Sequence, residues 1–354
     1  MTGRGIDQVL AHPCDPAIHE PFLKSALDYV RIAEEKNGPI RRPVEPSYIW
    51  GDALAELQRA APDARIVNLE TAVTSSDEWA RKGINYRMSP ANIACLTAAR
   101  IDCCALANNH VLDWGTAGLA ETLATLRAAG LRAAGAGRNP EEAWMPAEIA
   151  LASGARVLVF SAAASSSGVP ASWAARRGRA GVAYLEDLSE RTVKHIAAAV
   201  AAARRPGDIV VASVHWGANW GYAVSSEEQR FARALVDAGV DLVHGHSSHH
   251  AKAVEVFRSK LILYGCGDLI NDYEGIGGYA EFRGDLGLMY FPTLDSVSGE
   301  LVELQMTAMQ MRRFRACRAS AADTRWLCET LEREGSRLGT GARLSEDGRI
   351  ELRF

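Results

Sequence analysis

With 354 residues, 48% of them hydrophobic and 23% charged, the chain is long enough for one large α/β domain or two ordinary ones, and either buries a sizeable core. A formal net charge of −4 gives no basic footprint for nucleic acid, although a bound cation would still let an acidic protein hold an anionic substrate. No apolar run is long enough to span a bilayer, and seven cysteines without a Cys-x-x-Cys pair point to free thiols in a reducing compartment.

Strand-like apolar runs and amphipathic helical stretches alternate along the chain, the pattern of an α/β fold. A helix over AELQRAA precedes a buried strand, ARIVNLE, that ends at Glu70. IDCCALANNH reads as the next strand, ending at Asn108, Asn109 and His110, and TAGLAETLATLRAAG follows as a helix with Gly130 as its C-terminal cap. RVLVFSAAA is a third strand, succeeded by the helix SERTVKHIAAAVAAARR. DIVVASVHW ends at His215 and Trp216; after the helix SEEQRFARALVDAG, VDLVHGH ends at His246. Beyond residue 250, AKAVEVFRSKLILYGCGD and LGLMYFPTLDSVSGELVELQMTAM each predict an antiparallel pair around a polar turn. The Arg-rich end is weakly patterned, which divides the chain into a domain over 1–300 and a C-terminal appendage over 301–354 packed on the same domain.

The polar groups of interest fall at strand ends: Glu70, Asn109, His110, His215 and His246. In open α/β sheets that edge is where ligands bind. VHGHSSHH holds four of the nine histidines, with Gly245 permitting a tight turn so that His246 and His249 face one site while His244 faces the other side of its strand. Imidazole, a glutamate carboxylate and an asparagine carbonyl together suit one or two divalent transition-metal ions, with manganese, iron and zinc all compatible. His110 is placed to act as a general acid, and Asp113 three residues on would fix its tautomer. Each group has a plainer use when taken alone: Asn108 or Asn109 caps a helix, a strand-end Glu pairs with a base, and a lone histidine decorates a surface. In HWGANWGY, Trp216 and Asn219, with Trp220 and Tyr222, are candidates for lining a substrate cleft. SAAASSSGVP lacks the Gly-x-Ser-x-Gly elbow of serine hydrolases.

The motifs NLET, KGINYRMSP, LANNHVLDWG, GAGRNPEEA, HWGANWGY and GHSSHH resemble the CapA family of capsule or poly-γ-glutamate synthesis proteins, in the calcineurin-like metallophosphoesterase fold group. The resemblance runs from about Thr2 to Asp272. It implies a four-layer αββα sandwich with Glu70, Asn109, His215, His246 and His249 as metal ligands and His110 as the acid. It also implies an upstream strand ending in Gly-Asp, a further ligand, which this sequence lacks before Met1; the missing strand points to a start upstream. Ser247 replaces a family histidine, and Asp268 stands where the family has asparagine, with Asp272 and Glu274 nearby as further site groups or turn caps.

The expected activity is metal-dependent hydrolysis of an anionic small molecule or polymer, most directly a γ-glutamyl amide, with Arg4, Lys82 and Arg87 gripping the anion. The alternatives are a phosphoester and a non-catalytic subunit of a polymer synthesis or export assembly. The chain as it stands reads as cytoplasmic, and an upstream start would allow export or membrane anchoring.

Overall fold

A computed structural model describes residues 1–354. Strand Ile66–Asn68 pairs in parallel with Cys103–Ala105, which pairs in parallel with Arg132–Ala134. Asn68, Ala105 and Ala134 lie side by side in register. Glu70 and the Asn108–His110 segment therefore leave the small sheet at one edge, the carboxyl ends of its strands. Strands Ile66–Asn68 and Arg132–Ala134 are the two outer members of this sheet.

The large sheet has seven strands. Tyr184–Leu185, Arg156–Ala164, Ile209–His215, Leu242–His246 and Lys260–Leu263 run parallel in that order, and Val254–Phe257 and Ala147–Ala150 add antiparallel. His215 is in register with His246 on one side and Ala163 on the other. Every residue of Ile209–His215 is buried, as expected of a central parallel strand covered on both faces. On one face Val210, Ala212, Val214 and Val243 pack against Ile196 and Val200 of helix Glu190–Ala203 and Phe231 and Leu235 of helix Ser226–Asp237. The latter helix starts at a capping box in which Ser225 and Glu228 satisfy each other's amides. On the other face Val157, Val159, Val211 and Leu242 share a core cluster with Cys103 and Ala134 of the small sheet. The far face of the small sheet, through Cys104 and Leu106, meets Leu119 and Leu126 of helix Gly115–Ala128.

A third, five-stranded antiparallel sheet contains Leu286–Leu294, Leu301–Met311, Ala316–Arg318, Gly341–Leu344 and Ile350–Arg353. Leu304, Met306, Ala308 and Ile350 join Val211 and Leu242 in one core, together with Leu327 and Leu331 of helix Ala321–Gly335. A boundary after residue 300 thus falls between the two partners of a hairpin, and the Arg-rich end supplies core. That helix is capped by Ser320, which accepts from the Asp323 amide, a Ser-x-x-Asp signal that the sequence carries. The whole is a mixed α/β protein with several sheets, and no helix is long and apolar enough to cross a membrane.

Candidate active site

Two strand edges bring the first group of side chains together. Asn68 donates from Nδ2 to Glu70 Oε2 at 2.8 Å, which turns Oε1 towards His215, 4.0 Å from Nε2. Asn109 Oδ1 lies 3.2 Å from the same nitrogen. Burial opposes ionisation of Glu70, but the imidazoles of His215, His110 and His249 hold its carboxyl below the usual range. Burial lowers the His215 pKa against the pull of the Glu70 carboxylate, which favours the neutral ring that can ligate a metal. No three His, Cys, Asp or Glu side chains converge at ligand distance in this conformation. The focus is instead one carboxylate, one amide carbonyl and one imidazole, a hard-to-borderline set that fits a divalent cation of the manganese, iron or zinc kind.

His249 approaches from the segment after the His246 strand. Its backbone amide donates to Asn219 O at 3.0 Å, and Asn219 Nδ2 lies 3.2 Å from its Nε2. Its Nδ1 is 3.0 Å from Asp268 Oδ2. Burial opposes protonation of His249, but the Asp268 and Glu70 carboxylates raise its pKa above the ordinary imidazole value. Asp268, where the resembled family has asparagine, is therefore the partner that orients His249.

His110 is held on three sides. Asp113 Oδ2 lies 2.6 Å from its Nδ1, the Tyr86 ring stacks on it at 3.9 Å, and its amide donates to Asn108 Oδ1 at 3.0 Å. Lys82 donates to Asp113 Oδ1 at 2.6 Å and to the Asn109 carbonyl, while the Tyr86 amide donates to Asp113 Oδ2 at 2.6 Å. Burial raises the Asp113 carboxyl to about 7 even against the Lys82 charge. Burial and Lys82 together push His110 well below the usual imidazole range. With Nδ1 committed to Asp113, Nε2 is the nitrogen left for chemistry.

His246 does not reach the Glu70–Asn109 focus. Its Nδ1 lies 2.8 Å from His215 Nδ1, the opposite edge of that ring from Nε2, and its Nε2 lies 2.9 Å from Ser213 Oγ. His244 Nδ1 is 3.0 Å from the same hydroxyl. His244 and His246 consequently share one face of their strand, contrary to the expectation that they oppose each other, because residues two apart in a strand point the same way. Gly245 is not a turn residue either. A Cβ there would meet Leu263 O at 2.5 Å and Tyr264 O at 2.6 Å, so glycine is required by close approach of the neighbouring strand, and the positive-φ position is Ser247 at 112°.

Of the residues expected to grip substrate, Lys82 and Asn219 lie in the cluster. Arg4 does not. Its Nε and Nη2 donate to Asp272 at 2.9 and 2.6 Å, its Nη1 donates to Glu20 at 2.8 Å, and the Tyr29 ring covers it at 3.5 Å. Arg87 donates to the Ser76 carbonyl and to Asp77, both at 2.9 Å, and stacks on Trp114 at 3.9 Å. Trp216 is buried, donating from Nε1 to Tyr264 O at 3.0 Å, so it lines no cleft. Trp220 does sit by the cluster, its ring 5.3 Å from that of His249 and stacked on Tyr279 at 4.6 Å. Glu274 is spent on backbone amides of Arg313 and Phe314. Sequence reasoning missed Tyr86 and Ser213, which touch the site only because distant segments fold over it. Tyr86 had a signal, its place in the KGINYRMSP motif.

Residues 1–273 match the family described as bacterial capsule synthesis protein PGA_cap. The chain is 48% identical over 354 residues to the "Probable polyglutamine synthesis accessory protein" of Mycobacterium tuberculosis, covering 99% of this chain and 93% of that one. It is 25% identical over 254 residues to the PGA biosynthesis protein CapA of Bacillus subtilis, covering 69% of this chain and 60% of that one. With the capsule biosynthesis protein CapA of Bacillus anthracis it shares 26% identity over 193 residues, 54% of this chain and 46% of that one. A match over most of the length, including every strand end that carries the cluster, places the chain in the bacterial capsule synthesis protein PGA_cap family.

Proposed function

We propose that this protein is a metal-dependent hydrolase in capsule or polymer metabolism that cuts a γ-glutamyl amide of the poly-γ-glutamate type. One observation carries the reading: Glu70 Oε1 and Asn109 Oδ1 converge on His215 Nε2, beside a histidine whose other nitrogen is locked by a carboxylate. Glu70, Asn109, His215 and His249 would hold a divalent ion, with His246 bracing the His215 ring from behind. Such an ion supplies a water whose pKa is lowered towards about 7. The names of the two Bacillus relatives, PGA biosynthesis and capsule biosynthesis, support an anionic capsule polymer, which agrees with a cationic centre; the Mycobacterium tuberculosis relative's name has polyglutamine, an uncharged chain. We read the two facing sheets with their outer helices as the four-layer αββα arrangement of the calcineurin-like metallophosphoesterases.

His110 serves this reaction through Nε2. Asp113 accepts at Nδ1 and Lys82 anchors Asp113, so the ring presents one nitrogen in one orientation. Burial, and after it the Lys82 charge, lower the His110 pKa and so favour its neutral ring. As the acid it would take on Nε2 the proton that the hydrolytic water loses and pass it to the leaving amine nitrogen, so that one water is divided between the carboxylate and amine products.

A second reading is a non-catalytic accessory subunit, favoured by the accessory role in the name of the Mycobacterium tuberculosis relative. Elemental analysis of the purified protein separates the two when combined with turnover of γ-glutamyl and phosphoester substrates. The hydrolase reading expects about one or two metal equivalents, lost in Asn109→Ala and retained in His110→Ala, and a kcat for His110→Ala lower by roughly 10²–10⁴. Metal-free, folded protein inactive on both substrates would favour the accessory reading, and turnover of the phosphoester alone would replace the amide.

A further inference from the structure

Away from this cluster, the segment 39–48 and the residues Gln310–Ser320 enclose a cavity of about 790 Å³, within the size range of small-ligand sites. Arg41, Arg312, Arg313, Arg315 and Arg318 line it, against the single acidic residue Glu45. In a chain of net charge −4 that is a local inversion of sign. Arg315 is paired with Asp52 at 3.1 Å and Arg318 with Glu56 at 3.4 Å. Arg41, Arg312 and Arg313 have no carboxylate partner, and the buried Nε of Arg315 has no acceptor. Surface arginines are ordinarily distributed among acids, so the three left without a carboxylate around one hollow repel one another unless an anion joins them.

The backbone that presents them is held in an uncommon shape. Arg313 and Phe314 are both left-handed, with φ of 56° and 55°, although neither is glycine. Such conformations are unfavourable for residues with a Cβ and persist only where the surroundings over-determine them. Here Glu274 accepts from the Arg313 amide at 2.6 Å and the Phe314 amide at 2.5 Å, Tyr48 donates its hydroxyl to Arg313 O at 2.8 Å, and the Phe314 ring is fully buried. The buried ring and the clamped amides leave the neighbouring guanidinium groups projecting outward. Glu274 lies six residues after Asp268, the partner of His249, so one stretch of chain holds both His249 and the backbone that presents Arg313.

We propose that this cavity is a second anion site, which binds a run of carboxylates on the polymer apart from the cluster around His215. Guanidinium forks match carboxylates two bonds at a time, and several on one wall suit a chain carrying an acid on each repeat. The identity of the polymer rests on the reading under Proposed function; the anion chemistry rests on the arginines.

The test uses full-length protein and fluorescently labelled γ-glutamate oligomers, with binding read by anisotropy. Arg312→Gln/Arg313→Gln and Arg41→Gln/Arg312→Gln are the variants, their thermal melts compared with the parent, since these side chains are exposed. Loss of two charge-assisted contacts weakens binding roughly tenfold or more. The His110→Ala protein keeps its binding, because His110 is not in the cavity. Parent-like affinity in both arginine variants overturns the proposal. Tighter competition by tripolyphosphate than by an unlabelled γ-glutamate oligomer of matched charge overturns the carboxylate assignment. Binding that depends on the arginines in a protein that never cleaves the oligomer would keep the cavity and sink the hydrolase. Cleavage with unchanged KM in the arginine variants, together with unchanged affinity, would do the reverse.

Discussion

The Arg4 guanidinium, 1% exposed between Asp272 and Glu20, has its ion-pairing donors satisfied inside the protein. Its place in the stretch that the resemblance spans suggested an anion grip, yet a group so fully paired holds the N-terminal segment to Asp272 instead. Asp272→Ala leaves a buried charge with one partner removed and also strips the acceptor of the Gly5 amide. The expected cost is about 3–5 kcal/mol by urea denaturation, with no selective rise in KM in whatever protein remains folded. Lys82 shows the converse: it was legible as basic and near the site, but its contacts anchor Asp113 and the Asn109 carbonyl. Asp268 likewise had two readings from sequence, and its Oδ2 serves both: it lies 3.0 Å from His249 Nδ1 and accepts from Asn271 Nδ2 at 3.1 Å.

Strand ends deliver the candidate site, and the close packing of strands sets their tolerance. Gly245, next to His246, leaves no room for a Cβ because two backbone carbonyls of the adjoining segment stand at 2.5 and 2.6 Å. Backbone cannot yield as a flexible side chain does. Gly245→Ala is therefore expected to destabilise by about 1–3 kcal/mol, read as a lower denaturation midpoint, with reduced metal uptake because the His246 strand moves relative to His215. At the other end of the adjoining helix, Ser225→Ala removes one half of the capping box and costs about 1 kcal/mol in the same assay, leaving metal uptake unchanged. The two variants separate a general loss of stability from a displaced site.

Across the molecule, residues 301–354 are part of the main core. Strand Leu301–Met311 pairs along the whole of Leu286–Leu294, and Leu304 and Met306 pack with Val211 and Leu242. A chain ending at residue 300 is expected to lose cooperative unfolding by circular dichroism, because it exposes that cluster. The buried histidines set the response to acid. Burial lowers His244 and His250 to about 4, with the Ala251 carbonyl working the other way for His250. An unfolded histidine titrates near 6.5, so as pH falls below that value the unfolded chain takes up protons that the folded protein refuses. Stability is thus expected to drop steadily between pH 6.5 and about 4 in chemical denaturation at fixed ionic strength. His249, raised by Asp268 and Glu70, acts in the opposite sense, its contribution lost as pH rises through its folded value.

The parallel strands, their polar ends and the alternation with helices were legible in the sequence, since a strand buried on both faces is a continuous apolar run and its end is marked where polarity returns. The family followed from the same motifs. Which polar groups at those ends meet was not legible. The shared face of His244 and His246 was legible, since they stand two apart in one strand. The bracing of His215 by His246, the withdrawal of Arg4 into ion pairs, and the meeting of Arg41 with Arg312 and Arg313 around one cavity depend on contacts between residues tens to hundreds of positions apart. Local pattern carries information about burial along one element, whereas the direction of a side chain and the partner it finds are set by how separate elements pack.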